Sequence, residues 1–286
     1  MKLNNGHSVT SAVLARYLAW LPEQDESSIT KLLNPDDPQD VPRAVELMQA
    51  IISLSKLKVD TISGDVGMCA DMAAIKALGA ILESLLLPFI DITLSLQEQV
   101  AHLSRYAHLT FTFFRLHQSS FMPHVLYYDS QTMVKNACFC IAKQQKLDGS
   151  QGFWLIQSGD DRLEKLFGIT RMKGQHNSAM NYSQALDRIG AAKDINTVFK
   201  RHPDLESGSR RLKLTCVEGL DHIRRDLWVG DVVASHCDLP SAWKHGREMA
   251  LTVLADAHVP AVCCAFEIFF SEPGCDLMRP WGETNI

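Results

Sequence analysis

The chain has 286 residues, 46% of them hydrophobic and 21% charged, with a formal net charge of −5. This length and composition exclude an intrinsically disordered chain, because there is enough apolar surface for one large core or two ordinary ones. The acidic balance excludes binding of nucleic acid through a global positive field, so such binding would depend on a local basic patch.

The eight cysteines indicate an intracellular protein. None forms a Cys-x-x-Cys pair and several stand within apolar runs, which favours reduced core thiols over a disulfide framework or a zinc site. The N-terminus shows no basic-then-apolar leader, and the apolar stretches Ser84–Ile90 and Val259–Phe270 are too short to span a membrane. The sequence therefore predicts a soluble protein with no membrane partner.

The first part of the chain has the apolar periodicity of helices. Two short helices, over Ser8–Leu21 and Ser27–Leu33, precede a turn at Asn34–Pro38. Asp40 is predicted to cap a third helix, with Pro42 in its first turn. The predicted buried face of that helix consists of Ala44, Leu47, Met48, Ile51 and Leu54.

A long apolar helix is predicted over Asp71–Leu87, ended by Pro88. Ser95 and Glu98 form a capping box that begins the next helix. A histidine opposite the apolar stripe of that helix could be a ligand or a proton carrier, but without a partner we interpret it as a surface or packing residue. The stripe consists of Leu96, Val100, Leu103, Ala107, Phe111 and Phe114, and the opposite face of His102, Arg105, His108 and Arg115.

Asp129 is predicted to cap a helix over Ser130–Lys146 whose lysines face solvent. Gly152–Gln157 is the strongest strand pattern in the chain, short and aromatic-rich between glycines. Further helices are predicted from Tyr182 onward and over Ser241–Ala257, with turns and short elements between them.

In Gly159–Arg171, carboxylates, basic residues and glycines converge at helical spacing. Wound as a helix, this stretch places Asp160, Glu164, Gly168 and Arg171 on one stripe beside an apolar face. Packing would then hold Glu164 at the edge of the core, with space one turn beyond it. A metal-binding carboxylate needs such an orientation toward an ion and a substrate phosphate.

The same stretch also has a plain structural interpretation. Asp160 and Asp161 at a helix N-terminus would meet the positive end of the helix dipole, an effect of about 0.3–1 kcal/mol each. Asp161 and Lys165 form an ordinary pair one turn apart. One carboxylate helix cannot build a two-metal site, which needs acidic groups from other elements.

The run Gly159–Gly168, followed by Arg171, Gly174, His176 and Asn177, resembles the last acidic motif of P-element/THAP-type transposases. These enzymes have a ribonuclease-H-like core with an acidic triad, and the motif supplies its final glutamate. The likeness to active transposases covers about residues 128–182. A likeness to large fungal proteins derived from such elements covers most of the chain.

By position, the resemblance makes Glu164 the final Mg²⁺-binding catalytic acid, with Asp161 beside it, in a site that is incomplete or vestigial in this chain. The one departure from the motif is Gln175, where the family usually has a second glycine. The residues expected to lie near DNA are Arg171, Lys173, His176 and Asn177.

The other two acids of such a triad would come from strands, whereas residues 1–150 are predicted to be helical. That suits the helical insertion that some of these transposases carry before the final acid. Asp60, Asp65, Asp71 and Asp129 are available acids, but none stands on a convincing strand. The resemblance implies a nuclear chain with DNA and a second copy of itself as candidate partners, and with Mg²⁺ as cofactor only in a complete site.

Two other groups of residues leave alternatives open. Basic residues cluster over 162–176 and 210–225, where phosphate contact and a solvated surface fit the pattern equally. His222, His236 and Cys237 could be metal ligands or a Cys/His nucleophile pair, but no further ligand stands at a productive spacing.

The predicted fold is mainly α, a bundle-like helical region plus a small α+β remnant of a ribonuclease-H-like core. Three regions are expected: a helical one over 1–125, the carboxylate-motif region over 126–205, and a helical or irregular extension over 206–286. The leading hypothesis is a transposase-derived, catalytically incomplete protein with ancestral metal-dependent DNA cleavage and strand-transfer chemistry. The alternative is a non-enzymatic helical scaffold or interaction protein.

Overall fold

The computed structural model describes residues 1–3, 7–22, 24–37, 40–57, 65–159, 170, 181–202 and 225–282. Over these residues the chain is mainly helical, which confirms the predicted fold class at that level. Packing divides the chain into unit 1, residues 1–154 and 224–286, and unit 2, residues 155–223. The three regions predicted from sequence remain a prediction.

The described elements of unit 1 begin with a two-residue antiparallel pair of strands, β1 (Lys2–Leu3) and β2 (His7–Ser8). Of the described α-helices, α7 belongs to unit 2 and the others to unit 1. In chain order they are α1 (Ser11–Leu18), α2 (Glu26–Leu33), α3 (Val41–Ser55), α4 (Val66–Ile90), α5 (Leu96–His117), α6 (His124–Asp148), α7 (Tyr182–Arg201), α8 (Leu239–Asp256) and α9 (Phe266–Ser271).

The first three helices lie close to their predicted positions. Asp40 caps α3 as expected, because its Oδ1 accepts a hydrogen bond from the Arg43 amide at 3.1 Å. The buried face of α3 is partly the predicted one: Ile51 and Leu54 are buried as expected, but Ala44 is exposed and Val45 is buried instead. Apolar spacing alone left that choice open, and packing against α4 decided it.

The central helix of unit 1 is α5, which contacts α4, α6 and α8. Every residue of its predicted apolar stripe, from Leu96 to Phe114, is at most 1% exposed. The predicted capping box is confirmed: the Ser95 amide donates to Glu98 Oε2 at 2.7 Å, and Ser95 Oγ accepts from the Glu98 amide at 3.3 Å.

The opposite side of α5 is also largely covered, mainly by α8. His108 is 0% exposed, so the packing interpretation holds for this histidine. Ser104, one turn before it, donates a hydrogen bond from its Oγ to the Trp243 carbonyl oxygen of α8 at 2.7 Å. Periodicity identified only the most apolar stripe of a helix that is packed on several sides.

Both ends of α4 differ from the prediction. The helix begins at Val66, with Asp65 as its N-cap. Pro88 does not end the helix. A proline removes only its own amide as a donor, and beyond it the Asp91 amide still donates to the Leu87 carbonyl oxygen at 2.9 Å.

This longer α4 corrects the view that no apolar segment reaches membrane length. Within the described ranges it is the one helix long and apolar enough to cross a membrane, by length and composition only, with a mean hydropathy of 1.8 and 50% of its best window buried. Asp71, which breaks the apolar pattern, is buried and paired with Arg16. A core helix passes the same test, so this feature assigns no location.

Two further predictions are wrong. Asp129 does not cap a helix, because α6 begins at His124, directly after Pro123. Gly152–Gln157 is not a strand: Gly152 forms one isolated bridge with Val233, and a 3-10 helix then begins at Leu155. A strand needs a partner of similar length, and the only described partner here is a short loop segment.

In unit 2 the described elements are the 3-10 helix Leu155–Ser158 and α7. The predicted helix from Tyr182 is confirmed. Asn181 and Gln184 cap it reciprocally, through bonds of 2.9 Å and 3.1 Å. Its exposed apolar side chains are Tyr182, Leu186, Ile189 and Val198.

Candidate functional site

The residues predicted for catalysis, metal binding and DNA contact lie outside the described residues. These are Asp161, Glu164, Arg171, Lys173, His176 and Asn177. Thr170 is the described residue nearest to them; it is helical and 5% exposed. The carboxylate helix, the metal role of Glu164 and the DNA-facing loop therefore remain predictions.

The described acids that were available as triad partners have structural roles or lie on the surface. Asp65 is the N-cap of α4, where its Oδ1 accepts the Gly67 amide at 2.8 Å. Asp71 is 6% exposed, pairs with Arg16, and accepts a hydrogen bond from Tyr17 Oη at 2.9 Å. Asp129 is exposed on α6, and Asp60 lies outside the described residues.

The buried hydroxyl of Tyr17 donates a hydrogen bond to the Asp71 carboxylate. Burial of Tyr17 and its hydrogen bond to the Asp71 carboxylate raise the pKa of the phenol to about 12. The phenol therefore remains a donor at neutral pH and holds the carboxylate in place. Asp71 acts here as a structural group between α1 and α4.

A second charge cluster, in which Glu83 and Arg105 are mostly buried and Lys56 is exposed, connects α3, α4 and α5. Glu83 of α4 accepts from Lys56 Nζ at 2.8 Å and from Arg105 Nη1 at 3.1 Å. Burial alone would raise the pKa of the Glu83 carboxyl, but the hydrogen bonds and charges of Lys56 and Arg105 outweigh it and lower that pKa. Each charge in the cluster has a partner, as expected of a structural ion pair.

The histidine–cysteine group considered from the sequence has a local structural explanation. His236 Nδ1 lies 2.7 Å from Asp231 Oδ2, within one loop. Burial raises the pKa of the Cys237 thiol to about 11, so this thiol is protonated at neutral pH and a poor nucleophile. His222 lies outside the described residues, and within those residues no three His, Cys, Asp or Glu side chains group closely enough to hold a metal ion.

A mostly apolar cleft of about 440 Å³ lies in the described part of unit 1. We name it the Trp243 cleft. Its volume falls within the range of about 300–1,000 Å³ that is usual for small-molecule sites. It is lined by Gln131, Val134, Lys135 and Cys138 of α6, Trp243 of α8, Phe270 of α9, and Asp276, Leu277 and Met278 of the C-terminal segment.

Hydrogen bonds fix the C-terminal wall of this cleft. Tyr127 Oη of α6 donates to the Leu277 carbonyl oxygen at 2.7 Å. Asp276 Oδ1 accepts the amides of Met278 and Arg279 at 2.7 Å and 2.9 Å, so its carboxylate stabilises a turn. This wall is therefore held against α6 by identified bonds.

Gln131 is one of the polar residues in the lining of the cleft, together with Lys135 and Asp276. The side chain is 2% exposed, and its Nε2 donates to the Ala107 carbonyl oxygen and to Thr110 Oγ1, both at 3.0 Å. Since a carbonyl can only accept, the amide orientation is determined, and Oε1 points away from these partners. Oε1 has no hydrogen-bond partner within the described structure.

His108 lies directly behind two aromatic walls of the same cleft. Its ring centroid is 5.2 Å from that of Trp243 and 6.2 Å from that of Phe270. Burial lowers the pKa of His108 to about 4, so the ring is neutral at physiological pH. Nδ1 lies 2.8 Å from the Ser104 carbonyl oxygen and donates to it, which leaves Nε2 as an acceptor without a partner in the described structure.

Comparison with protein-family models, with curated proteins and with solved structures gave no match to this chain. Its function has to be inferred from its own residues.

Sequence reasoning did not find the Trp243 cleft. Trp243 lies more than a hundred positions from Gln131, so only tertiary packing could bring them together. One signal was available: Gln131 stands on the same helical stripe as the buried Val134 and Ile141. A polar residue on an apolar stripe needs a partner, and that requirement could have marked this position.

Proposed function

We propose that the chain is a transposase-derived helical protein that does not cleave DNA on its own. The observation that carries this proposal is the motif over Gly159–Asn177 together with the helical fold of the region before it. Apart from β1 and β2, the described residues up to 154 contain no strand. Such a region suits the helical insertion that precedes the final acid in some of these transposases.

An incomplete acidic site is the reason for proposing that the chain is inactive alone. Two-metal cleavage needs carboxylates from several elements around the ions. Asp65 and Asp71 are engaged in a helix cap and a buried ion pair, and Asp129 lies on an exposed helical surface. The engagement of Asp65 and Asp71 in local structure supports an incomplete site.

A nuclease assay with the full chain tests this proposal. We expect no Mg²⁺-dependent cleavage or strand transfer on duplex or single-stranded DNA. Robust cleavage that disappears in Glu164→Gln would overturn the proposal, because it would show a complete site. Glu267→Gln is a useful second variant, since it removes an exposed carboxylate that is paired with Arg247.

Residual DNA binding is the second part of the proposal. Arg171 and Lys173 would neutralise phosphates and release counterions. We expect the double variant Arg171→Ala/Lys173→Ala to reduce the slope of log K against log salt by about 0.9 for each lost phosphate contact. The matched control is Lys143→Ala/Lys146→Ala on the exposed face of α6, which should leave that slope unchanged.

A helical scaffold without DNA chemistry is the second candidate. The observation that favours it is that Asp65, Asp71 and Glu83 all have structural partners. A scaffold would show neither Mn²⁺ binding at Glu164 nor salt-sensitive DNA binding. Absence of both would favour this candidate, and either one alone would favour the transposase-derived protein.

A further inference from the structure

One face of α6 is exposed along nearly the whole helix. Its residues stand four, three, four, three, four and four positions apart, which is the spacing of a stripe that can run along a second helix. Val125, Phe139 and Leu147 on this stripe are large and apolar, and they are 73%, 65% and 72% exposed. Apolar side chains on an exposed stripe are stabilised when a second helix covers them. We name this face the α6 seam; it consists of Val125, Asp129, Thr132, Asn136, Phe139, Lys143 and Leu147, all exposed.

The charges of the α6 seam stand at equal distances from Asn136. Asp129 lies seven residues before it, and Lys143 lies seven residues after it. Neither forms an ion pair with another described residue. The apolar ends follow the same rule, since Val125 and Leu147 each stand eleven residues from Asn136. The two halves of the seam are therefore complementary: an acid matches a base, and an apolar residue matches an apolar one.

This complementarity selects both the second helix and its direction. Two copies of α6 packed antiparallel, with Asn136 on a two-fold axis, place each residue opposite the one that stands equally far on the other side of Asn136. Asp129 of each copy then faces Lys143 of the other, and Val125 faces Leu147. A parallel pair would instead set Asp129 against Asp129 and Lys143 against Lys143, which is repulsive.

We propose that two copies of this chain associate through the α6 seam, antiparallel and centred on Asn136. The partner is a second copy, because an unrelated helix would match both charges and both apolar ends of the seam in one register only by coincidence. The two Asn136 amides, each with donors and an acceptor, can bond to each other at the axis. A single polar residue in a helical interface can fix the register in this way. The proposal does not rest on the transposase resemblance.

The size of the α6 seam sets the expected affinity. From Val125 to Leu147 the helix rises by about 33 Å. A contact of that length and roughly 10 Å wide buries on the order of 700 Å² over the two copies, below the roughly 1,200 Å² of standard stable interfaces. We therefore expect a weak, reversible dimer with a Kd of roughly 10–100 µM.

Sedimentation velocity of the full chain tests the association. The weight-average mass should be that of the 31.9 kDa monomer at about 1 µM and should rise toward twice that value at about 300 µM. Lys143→Asp creates two like-charged pairs in the symmetric dimer and should weaken it about tenfold. Adding Asp129→Lys reverses both charges and should restore the original affinity. The matched control is Lys244→Asp, the same charge change at an exposed position of α8, which should have no effect.

Disulfide trapping tests the register. In the antiparallel dimer the two copies of position 136 face each other within reach of a disulfide, whereas the two copies of position 143 are about 21 Å apart along the helices. Asn136→Cys should therefore give a covalent dimer on mild oxidation, and Lys143→Cys should not. Non-reducing electrophoresis beside the unaltered chain accounts for the cysteines already present.

The proposal is overturned if the chain stays monomeric at every concentration tested. It is equally overturned if a dimer forms that Lys143→Asp leaves unchanged, or that the double charge reversal does not restore, because the association would then use another surface. Covalent dimers of both cysteine variants, or of neither, would contradict the antiparallel register. Circular dichroism of each variant shows whether it folds, and the altered positions are all exposed.

Discussion

Gly246 of α8 packs directly against Ser104 of α5. A Cβ at position 246 would lie 2.5 Å from the Ser104 Cβ and would also meet the Ala101 carbonyl oxygen. Real Cβ atoms do not approach so closely, so only glycine allows the two helices to cross at this distance. The crossing places Trp243 over His108 and so forms one side of the Trp243 cleft.

Gly246→Ala should therefore destabilise the protein, although alanine is the better helix former. Overpacking at a close crossing costs about 1–3 kcal/mol, which exceeds the gain in helix propensity of about 1 kcal/mol. The matched control is Gly190→Ala in α7, where an added Cβ meets nothing within 4 Å. Urea unfolding followed by circular dichroism should show a loss for the first variant and a gain of about 0.5–1 kcal/mol for the second.

The buried imidazole of His108 should make stability depend on pH. In the unfolded chain it binds a proton below pH 6.5, whereas in the folded chain its pKa is about 4. Between these values the unfolded state holds the extra proton, so stability is full above pH 6.5 and is lost as the pH falls toward about 4. The loss is on the order of 3 kcal/mol.

The variant His108→Phe isolates this effect, because an aromatic ring suits the neighbours Trp243, Phe266 and Phe270. The free energy of unfolding of both proteins should be measured across this pH range. The free energy of unfolding of the unaltered protein should fall relative to that of His108→Phe as the pH is lowered. An identical pH dependence in the two proteins would show that His108 is not the group responsible.

Glu83 should be far more important for stability than a surface carboxylate. Its side chain is 17% exposed and paired with Lys56 and Arg105, so Glu83→Gln leaves two cations around a neutral group. We expect a loss of about 2–3 kcal/mol, somewhat below the 3–5 kcal/mol of fully buried pairs. Glu267, which pairs with Arg247 but is 74% exposed, is the control, and Glu267→Gln should cost no more than about 0.5 kcal/mol.

The thiols should differ widely in their reactivity. Burial raises the pKa of Cys138 and of Cys237 to about 11, which lowers the thiolate fraction at neutral pH about a hundredfold relative to a thiol at 9.0. Cys69 is exposed. Labelling with iodoacetamide, followed by peptide mass spectrometry, should modify Cys69 at least tenfold faster than the other two. Rapid labelling of Cys138 in the folded protein would contradict its raised pKa.

The sequence by itself determined the features that depend on neighbours along the chain. The Ser95–Glu98 capping box, the Asp40 cap and the apolar stripe of α5 all involve residues within one or a few turns. Such local rules also identified the carboxylates around Glu164 as a candidate site. The function of those carboxylates depends on acids from other elements, and local spacing cannot supply that information.

Tertiary structure alone decided how those local elements are used. Pro88 is carried through α4, the strand expected over Gly152–Gln157 finds only a single bridge, and His108 is buried by α8. Gln131 lines a cleft together with Trp243 and the C-terminal segment, which lie far away along the chain. The physical reason is common to these cases: burial and hydrogen-bond satisfaction are set by which distant segments pack together, and periodicity describes only the segment itself.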